Sequence, residues 1–350
     1  MSGPDVRDAA TDETAVRLPL DDLPWHASAR ARLAAAAAGG RLPHALLLHG
    51  PDGVGKERFA AVVAAGLLCR QPTPDLRPCG ECSDCALSLA ASHPDLHWLR
   101  IPEDRRTIGV EAVRETCEQL GMTSLRGRYR VAIVVPAHRM TANAQNAFLK
   151  TLEEPAPRTL LLLVSSRPAG VLPTLRSRCQ RVEIARPSTD EARQWLAATL
   201  GAEPPPGLLE LAGGAPLRAA VLAPHFPALQ EQMNGLLGDL LAGRSEVTRT
   251  AADMVGDGLG ARLDWLEAWL SDAVRARLAR DATQVGIPVA PQLQSAAADL
   301  NIGAAFRFLD RLRESRRLLE GSAAPALVVE ALLIELVAAC RRRGVARWVP

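Results

Sequence analysis

The stretch that decides the fold of this chain is Gly50-Pro51-Asp52-Gly53-Val54-Gly55-Lys56-Glu57. It follows the pattern G-x-x-x-x-G-K-[ST] except at the last position, where Glu57 replaces the Ser or Thr whose hydroxyl holds Mg²⁺. In such a loop, glycines let backbone N–H groups turn towards phosphates, and the following helix favours anions at its N-terminus. The stretch therefore predicts a degenerate phosphate-binding loop, whose candidate nucleotide-binding residues are Gly50, Gly53, Gly55 and Lys56.

The segments on either side have the pattern of the strand and helix that this motif requires. Residues 44–49 predict a short buried strand, and residues 57–68, rich in Ala, Val and Leu, predict a helix. A glycine-rich turn unrelated to nucleotide binding is the alternative. Binding of ATP or ADP stays open, because the carboxylate of Glu57 repels phosphate, although it could also approach a metal ion.

The composition is that of a globular protein with a sizeable core. The 350 residues suffice for two or three domains, and 48% of them are hydrophobic against 23% charged. The net charge of +2 provides no overall field for tight nucleic-acid binding. Residues 1–24 predict a loose polar leader without a signal peptide, and no apolar run reaches membrane-spanning length. We therefore expect a cytoplasmic protein.

Four of the seven cysteines lie close together, in the pattern C-x9-C-x2-C-x2-C. In a reducing cytosol such a cluster indicates a metal site rather than disulfides. Four sulfur ligands can close a tetrahedral Zn²⁺ site and leave no position for a catalytic water. The sequence therefore predicts a structural zinc module over residues 69–85, with unmetallated thiols as the alternative. Its candidate ligands are Cys69, Cys79, Cys82 and Cys85, whereas the cysteines expected to be packing residues are Cys117, Cys179 and Cys340.

A second predicted strand lacks the acidic residues that a P-loop ATPase uses. Residues 131–135 are apolar and β-branched, which is typical of a parallel strand buried on both faces. In an active ATPase this strand ends in one acidic residue that holds Mg²⁺ and another that activates water. Val135 and Pro136 occupy those positions here, and neither binds a metal or accepts a proton. The alternative is that the ATPase strand lies elsewhere, but no other apolar strand after the loop ends in an acidic pair.

Strand and helix patterns continue to alternate beyond this point. Residues 143–154 predict a helix that packs on a sheet and that Pro155 ends. Residues 159–164 predict another buried strand, followed by Ser165 and Ser166. Such alternation predicts an α/β fold with a parallel sheet and flanking helices.

The order of these segments resembles the clamp-loader branch of the AAA+ ATPases. The resemblance covers residues 25–220. It rests on the loop, the four-cysteine insert, the strand at 131–135, and two signature-like stretches, Leu149-Lys150-Thr151-Leu152-Glu153-Glu154-Pro155 and Leu175-Arg176-Ser177-Arg178-Cys179. Because the acids are missing, the chain is more similar to a non-hydrolysing subunit than to the gamma/tau ATPase subunit.

The domain organisation follows from this resemblance and from the helical pattern after residue 188. It comprises an AAA+ P-loop domain over 25–187, a small helical lid over 188–222 and an all-α collar over 223–350. In the last part, three segments carry apolar residues at three- and four-residue steps: 263–278, 304–319 and 325–342.

The resemblance also implies site residues and partners. In the family, the arginine of the Ser177-Arg178-Cys179 motif reaches the γ-phosphate of ATP in the adjacent subunit, which implies a catalytic role in trans for Arg178. A surface arginine in an ordinary ion pair is the alternative. Ser165 and Ser166 match the position of a small polar nucleotide sensor, and Arg218 lies about one residue away from the second sensor. The implied partners are gamma/tau and delta subunits, with the sliding clamp and primer-template DNA within the complex.

We therefore expect a clamp-loader subunit that does not hydrolyse ATP and that supports the ATP site of a neighbour. Two alternatives stay open: an active gamma/tau-like ATPase, favoured by Gly55-Lys56, and a zinc-dependent DNA-binding module with a vestigial loop. Four arginines of one predicted helix could contact DNA, although a solvated helix face is the simpler interpretation. They are Arg311, Arg313, Arg316 and Arg317.

Overall fold

A computed structural model describes residues 22–278, 286–319, 321 and 323–340. The leader predicted over 1–24 lies outside these residues except for its end, and so do the last positions of the helix predicted over 325–342. The chain divides into two compact units between Glu191 and Ala192. None of the helices in the described part is long and apolar enough to cross a membrane.

The first unit contains a parallel sheet with the strand order β2-β3-β4-β1-β5. Its central strands are apolar runs buried on both faces, as expected for a parallel sheet covered by helices. The strands are β1 (Ala45–His49), β2 (Leu96–Arg100), β3 (Arg130–Val135), β4 (Thr159–Ser165) and β5 (Gln180–Glu183). The predicted α/β fold with a parallel sheet is confirmed, and the three predicted strands correspond to β1, β3 and β4.

Helices of the first unit cover this sheet. One face packs against α4 and α5 through a core that includes Val113, Leu120 and Phe148. The buried helix α2 follows the glycine-rich loop directly and matches the helix predicted there. The helices are α1 (Ala27–Ala38), α2 (Lys56–Leu68), α3 (Ser83–Leu89), α4 (Val110–Gly121), α5 (Ala142–Glu153) and α6 (Pro173–Arg176).

The second unit contains helices joined by loops and no strand among its described residues, which confirms the predicted helical C-terminal region. Its core is organised around α12, where the stacked rings of Trp265 and Trp269 have centroids 6.4 Å apart. The helices, of which the first crosses the division between the units, are α7 (Thr189–Leu200), α8 (Leu208–Leu211), α9 (Pro216–Leu222), α10 (Phe226–Leu241), α11 (Val247–Met254), α12 (Leu259–Leu278), α13 (Pro291–Ala298), α14 (Ile302–Leu319) and α15 (Pro325–Cys340). The boundary between lid and collar at residue 222 stays a prediction.

Candidate functional site

The glycine-rich loop joins the carboxyl end of β1 to the N-terminus of α2. Ligands of open α/β sheets bind beyond the carboxyl ends of the strands, so this is the position expected for a nucleotide. Gly53 and Gly55 have φ values of 76° and 83°, in the left-handed region that favours glycine. A Cβ at Gly50 would overlap the carbonyl oxygen of Ile184, which follows β5. The loop therefore needs these glycines for its own conformation, whether or not a phosphate binds.

Lys56 turns back onto the loop that carries it. Its Nζ donates to the carbonyl oxygen of Pro51 at 2.6 Å and lies 3.5 Å from Oδ1 of Asp52. The residue is buried, and this burial lowers the pKa of Lys56, although Asp52 partly opposes the shift. The ammonium that would contact phosphate in an active loop thus has protein partners already.

Two side chains from the start of the described chain hold the middle of the loop. Trp25 Nε1 and His26 Nε2 both donate to the carbonyl oxygen of Val54, each at 2.9 Å. His26 is buried against Phe59, with ring centroids 5.3 Å apart, and burial lowers the pKa of His26. The loop is consequently fastened to the segment before α1 by a tryptophan and a neutral histidine.

Glu57 forms an ion pair with Arg100 at the end of β2. The Arg100 guanidinium in turn lies over the ring of Trp98, 4.6 Å from its centroid, in a cation–π contact. An arginine therefore faces the residue that replaces the magnesium-binding hydroxyl of the motif. Arg100 was not predicted as a site residue, because the strand that carries it was not predicted.

The end of β3 has the composition predicted for it. β3 ends at Val135, and Pro136 leads into a short turn containing His138. His138 Nδ1 is 3.1 Å from Oγ of Ser165, the buried last residue of β4, and this hydroxyl also accepts from the backbone N–H of Arg167 at 3.1 Å. Ser165, predicted as a nucleotide sensor, thus lies beside His49 of β1 and is hydrogen-bonded within the protein.

The four predicted metal ligands converge in space. The Sγ atoms of Cys69, Cys79, Cys82 and Cys85 all lie within 4.8 Å of one another. Three of their separations are 3.5, 3.8 and 3.9 Å. Sulfur atoms at the corners of a tetrahedron with Zn–S bonds of about 2.3 Å lie about 3.8 Å apart, so the cluster fits such an ion. The structure therefore confirms a cluster that could hold a metal ion.

The surroundings of the cluster shift the pKa values of its cysteines in different directions. Burial alone raises the pKa of Cys82, but hydrogen bonds from the backbone N–H groups of Arg70 and Cys85 and from neighbouring thiols outweigh it and lower this pKa to about 6. Burial raises the pKa of the Cys85 thiol, which a bound cation would have to offset. Asp84, between these two ligands, accepts from Arg70 Nε at 2.9 Å and from Arg126 Nε at 2.8 Å.

The predicted arginine finger lies at the surface, after α6. Arg178 NH2 is 2.6 Å from Oε1 of Glu153, and its NH1 donates to the carbonyl oxygen of Thr174 at 3.1 Å. The Arg178 side chain is 37% exposed. The two signature-like stretches of the sequence therefore meet in space through this ion pair.

Arginines of the second unit are engaged in ion pairs. Arg218 pairs with Asp264, whose other oxygen is 2.7 Å from Arg316 NH1. Arg316 NH2 also lies 3.1 Å from Glu267. The network gives Arg218 a role in holding helices together, and its suggested sensor function gains no support. Ion pairs likewise involve Arg311 and Arg313 of the same helix α14, as expected for a solvated face.

Together these features define the chain as an AAA+-like P-loop protein with a four-cysteine insert and a degenerate nucleotide loop. A family profile described as "DNA polymerase III, delta subunit" matches residues 25–188. DNA polymerase III subunit delta' of Pseudomonas aeruginosa is 35% identical over 275 residues, covering 76% of this chain and 81% of that protein. The chain belongs to the DNA polymerase III subunit delta' family.

The chain is also similar to a second delta' protein and to one solved structure. The subunit delta' of Escherichia coli is 33% identical over 270 residues, covering 76% of this chain and 80% of that protein. A solved structure of a gamma subunit-related protein of DNA polymerase III from Thermotoga maritima aligns with a TM-score of 0.42 and 20% identity, over 85% of this chain and 95% of that one. The sequence relatives alone carry the family assignment.

Proposed function

We propose that this delta'-type chain acts in a bacterial replicative clamp loader without hydrolysing ATP itself. The observation that carries the proposal is the state of its own nucleotide loop. Lys56 contacts Pro51 and Asp52, Glu57 pairs with Arg100, and apolar residues stand where the two acids of an ATPase are expected. Any ATP or ADP that binds this loop does so passively. As a replication protein, the chain acts in the cytoplasm.

The chemical role that we propose for the subunit lies at the site of a neighbour. Arg178 is at the surface, and its planar guanidinium can stabilise charge on a transferring phosphoryl group. Arginine fingers supplied in trans raise phosphoryl-transfer rates by roughly 10³–10⁵. We propose that Arg178 reaches ATP on an adjacent gamma/tau subunit. The subunit works with delta to open the sliding clamp and place it on primer-template DNA, while the lid at 188–222 and the collar at 223–350 hold it in the assembly.

A reconstituted complex with gamma/tau and delta tests this role. Replacing Arg178 with Ala should leave assembly intact and slow DNA-stimulated ATP hydrolysis. Arg181→Ala is the matched control, since Arg181 is an exposed arginine on the neighbouring strand β5. An unchanged rate with Arg178→Ala, or an equal loss with Arg181→Ala, would refute the proposed finger.

The second candidate function is that of an active, gamma/tau-like ATPase, favoured by the intact Gly55-Lys56 pair. Steady-state ATP hydrolysis by the isolated chain distinguishes the two functions. Under our proposal the isolated chain hydrolyses Mg-ATP no faster than a blank without protein. Turnover that disappears in Lys56→Ala would establish the ATPase and overturn the proposed idle loop.

We further propose that the four cysteines hold one structural Zn²⁺ per chain. The support is the close approach of four sulfur donors at tetrahedral separations. Metal analysis of protein purified without chelator should find one zinc, which Cys82→Ser should reduce. Cys117→Ser is the control, because Cys117 lies apart from the cluster and is half-buried. No zinc in the unaltered chain would refute this site.

A further inference from the structure

The proposed finger has a partner on its own chain. Glu153 is the last residue of α5, and its carboxylate is 2.6 Å from the Arg178 guanidinium. The Glu153 side chain is 54% exposed and that of Arg178 is 37% exposed. Both groups therefore lie at the surface, where a ligand on another subunit can reach them.

The segment that carries the finger is fixed to the same helix α5 at a second, buried point. Gln145 Oε1 accepts from the backbone N–H of Leu172, just before α6, at 2.6 Å. Its Nε2 donates to the carbonyl oxygens of Met140 at 3.1 Å and Gly170 at 3.3 Å. The base of the finger segment is thus attached to α5, and Glu153 acts on the free end of the arginine side chain.

We propose that Glu153 is a positioning residue that holds Arg178 ready and competes with the phosphate for it. This inference rests on the proposed function of Arg178. A carboxylate and a phosphate both accept hydrogen bonds from the N–H groups of a guanidinium, so the two cannot occupy the same N–H groups at once. When nucleotide occupies the neighbouring site, its phosphate displaces Glu153; when the site empties, Glu153 takes the arginine back.

The strength of the pair suits this exchange. Ion pairs between exposed groups are weak, since water screens the charges and two long side chains must be ordered. Glu153 can therefore orient the guanidinium and yet release it to a phosphate at little cost. A buried partner would retain it, because separating a buried pair leaves a charge without compensation.

Neutralising Glu153 should consequently strengthen ATP binding at the neighbouring site. In Glu153→Gln the amide oxygen still accepts from Arg178, but its negative charge no longer competes with the phosphate. Removing an ion pair between exposed groups changes an equilibrium constant by at most about fivefold. We expect the KM for ATP of the reconstituted complex to fall by up to about fivefold, with kcat nearly unchanged. In Glu153→Ala, which cannot orient the arginine, we expect kcat to fall.

A double-mutant cycle with Arg178→Ala tests the inference in the complex with gamma/tau and delta. The fall in KM should vanish when Glu153→Gln is combined with Arg178→Ala, since the residue acts through the arginine. Glu154→Gln is the matched control, because it removes a neighbouring exposed carboxylate for which the described residues show no arginine partner. ATP sites that Arg178 does not serve contribute equally to all complexes.

The outcomes separate this inference from the function on which it rests. A slower Arg178→Ala complex with an unchanged KM in Glu153→Gln would retain the finger and overturn the role of Glu153. The role of Glu153 is also overturned by an equal fall in KM with Glu154→Gln, or by a fall that persists without Arg178. If Arg178→Ala has no effect on hydrolysis, the finger itself is refuted and Glu153 loses its role with it.

Discussion

Gly66→Ala tests how the cysteine insert is seated on α2. Gly66 lies in the buried last turn of this helix, and a Cβ there would overlap the carbonyl oxygen of Leu76 and lie 2.9 Å from its carbonyl carbon. Carbon atoms pack best at about 3.5–4.0 Å, so the segment carrying Leu76 must withdraw by at least roughly 0.6 Å. Leu76 lies between the ligands Cys69 and Cys79, and the displacement therefore reaches the metal cluster.

The expected cost is the balance of two effects. Overpacking a filled site costs about 1–3 kcal/mol, whereas replacing Gly by Ala inside a helix gains about 0.5–1 kcal/mol. The neighbour here is backbone, which cannot rotate away, so we expect a net loss of about 1–2 kcal/mol. For a unit of about 150–250 residues this lowers Tm by roughly 2–8 °C.

Calorimetry of the full chain measures this change, and hydrogen exchange with mass spectrometry locates it. Peptides from α2 should exchange faster while those from α12 stay unchanged. The matched variant is Gly235→Ala in α10, where an added Cβ meets nothing within 4 Å and should stabilise the second unit. A rise in Tm with Gly66→Ala, like that expected for Gly235→Ala, would contradict the close contact between Leu76 and α2.

Three further outcomes are expected from buried polar groups. Burial raises the pKa of Asp84, but hydrogen bonds and charge interactions with Arg70 and Arg126 outweigh this effect, so the pKa is lowered overall. The ionised Asp84 therefore stabilises the folded state above the unfolded pKa of about 3.9, and this stabilisation is lost as pH falls through the lower folded pKa. Asp84→Asn should cost about 1.5–3 kcal/mol near neutral pH, and denaturant titrations should show this difference shrinking below about pH 4. Because burial lowers the pKa of Lys56, the folded state binds the Lys56 proton less tightly than the unfolded state does. The free energy of unfolding should therefore rise with pH towards the unfolded pKa of about 10.4. This rise should be smaller in Lys56→Met, and an equal rise in both proteins would contradict the lowered pKa. Trp265→Phe leaves Gln230 Oε1 without the 2.9 Å bond from Nε1 and should destabilise the second unit by about 1–3 kcal/mol, measured by thermal unfolding, whereas no change would contradict the bond.

Local patterns were sufficient for the centre of the sheet and for the metal cluster. β3 and β4 are continuous apolar runs because helices cover both faces of the sheet, and this composition is visible in the sequence. The outer strands β2 and β5 were not predicted, since their sequences LHWLR and QRVE mix polar and apolar residues. The cysteine cluster could be predicted because three of its ligands are separated by only two residues.

The partners of the site residues could not be predicted, because they come from distant parts of the chain. The sequence places a carboxylate at Glu57 beside the phosphate position, but only the fold brings Arg100 of β2 against it. The pairing of Arg178 with Glu153 likewise depends on how α5 and α6 meet. Residue types at a motif indicate the chemistry that is possible, while three-dimensional neighbours decide which charges are already satisfied.

The ion pair between Glu57 and Arg100 also limits what a single substitution in the loop can achieve. Replacing Glu57 with Ser or Thr would remove the carboxylate beside Arg100 and leave a guanidinium near the position of Mg²⁺ in an active loop. That cation repels a divalent ion, so this substitution alone would not create a Mg²⁺ site. Acids at Val135 and Pro136 would be needed as well. The loop therefore differs from the ATPase motif at several separate positions, and a change at Glu57 alone would not build a Mg²⁺ site.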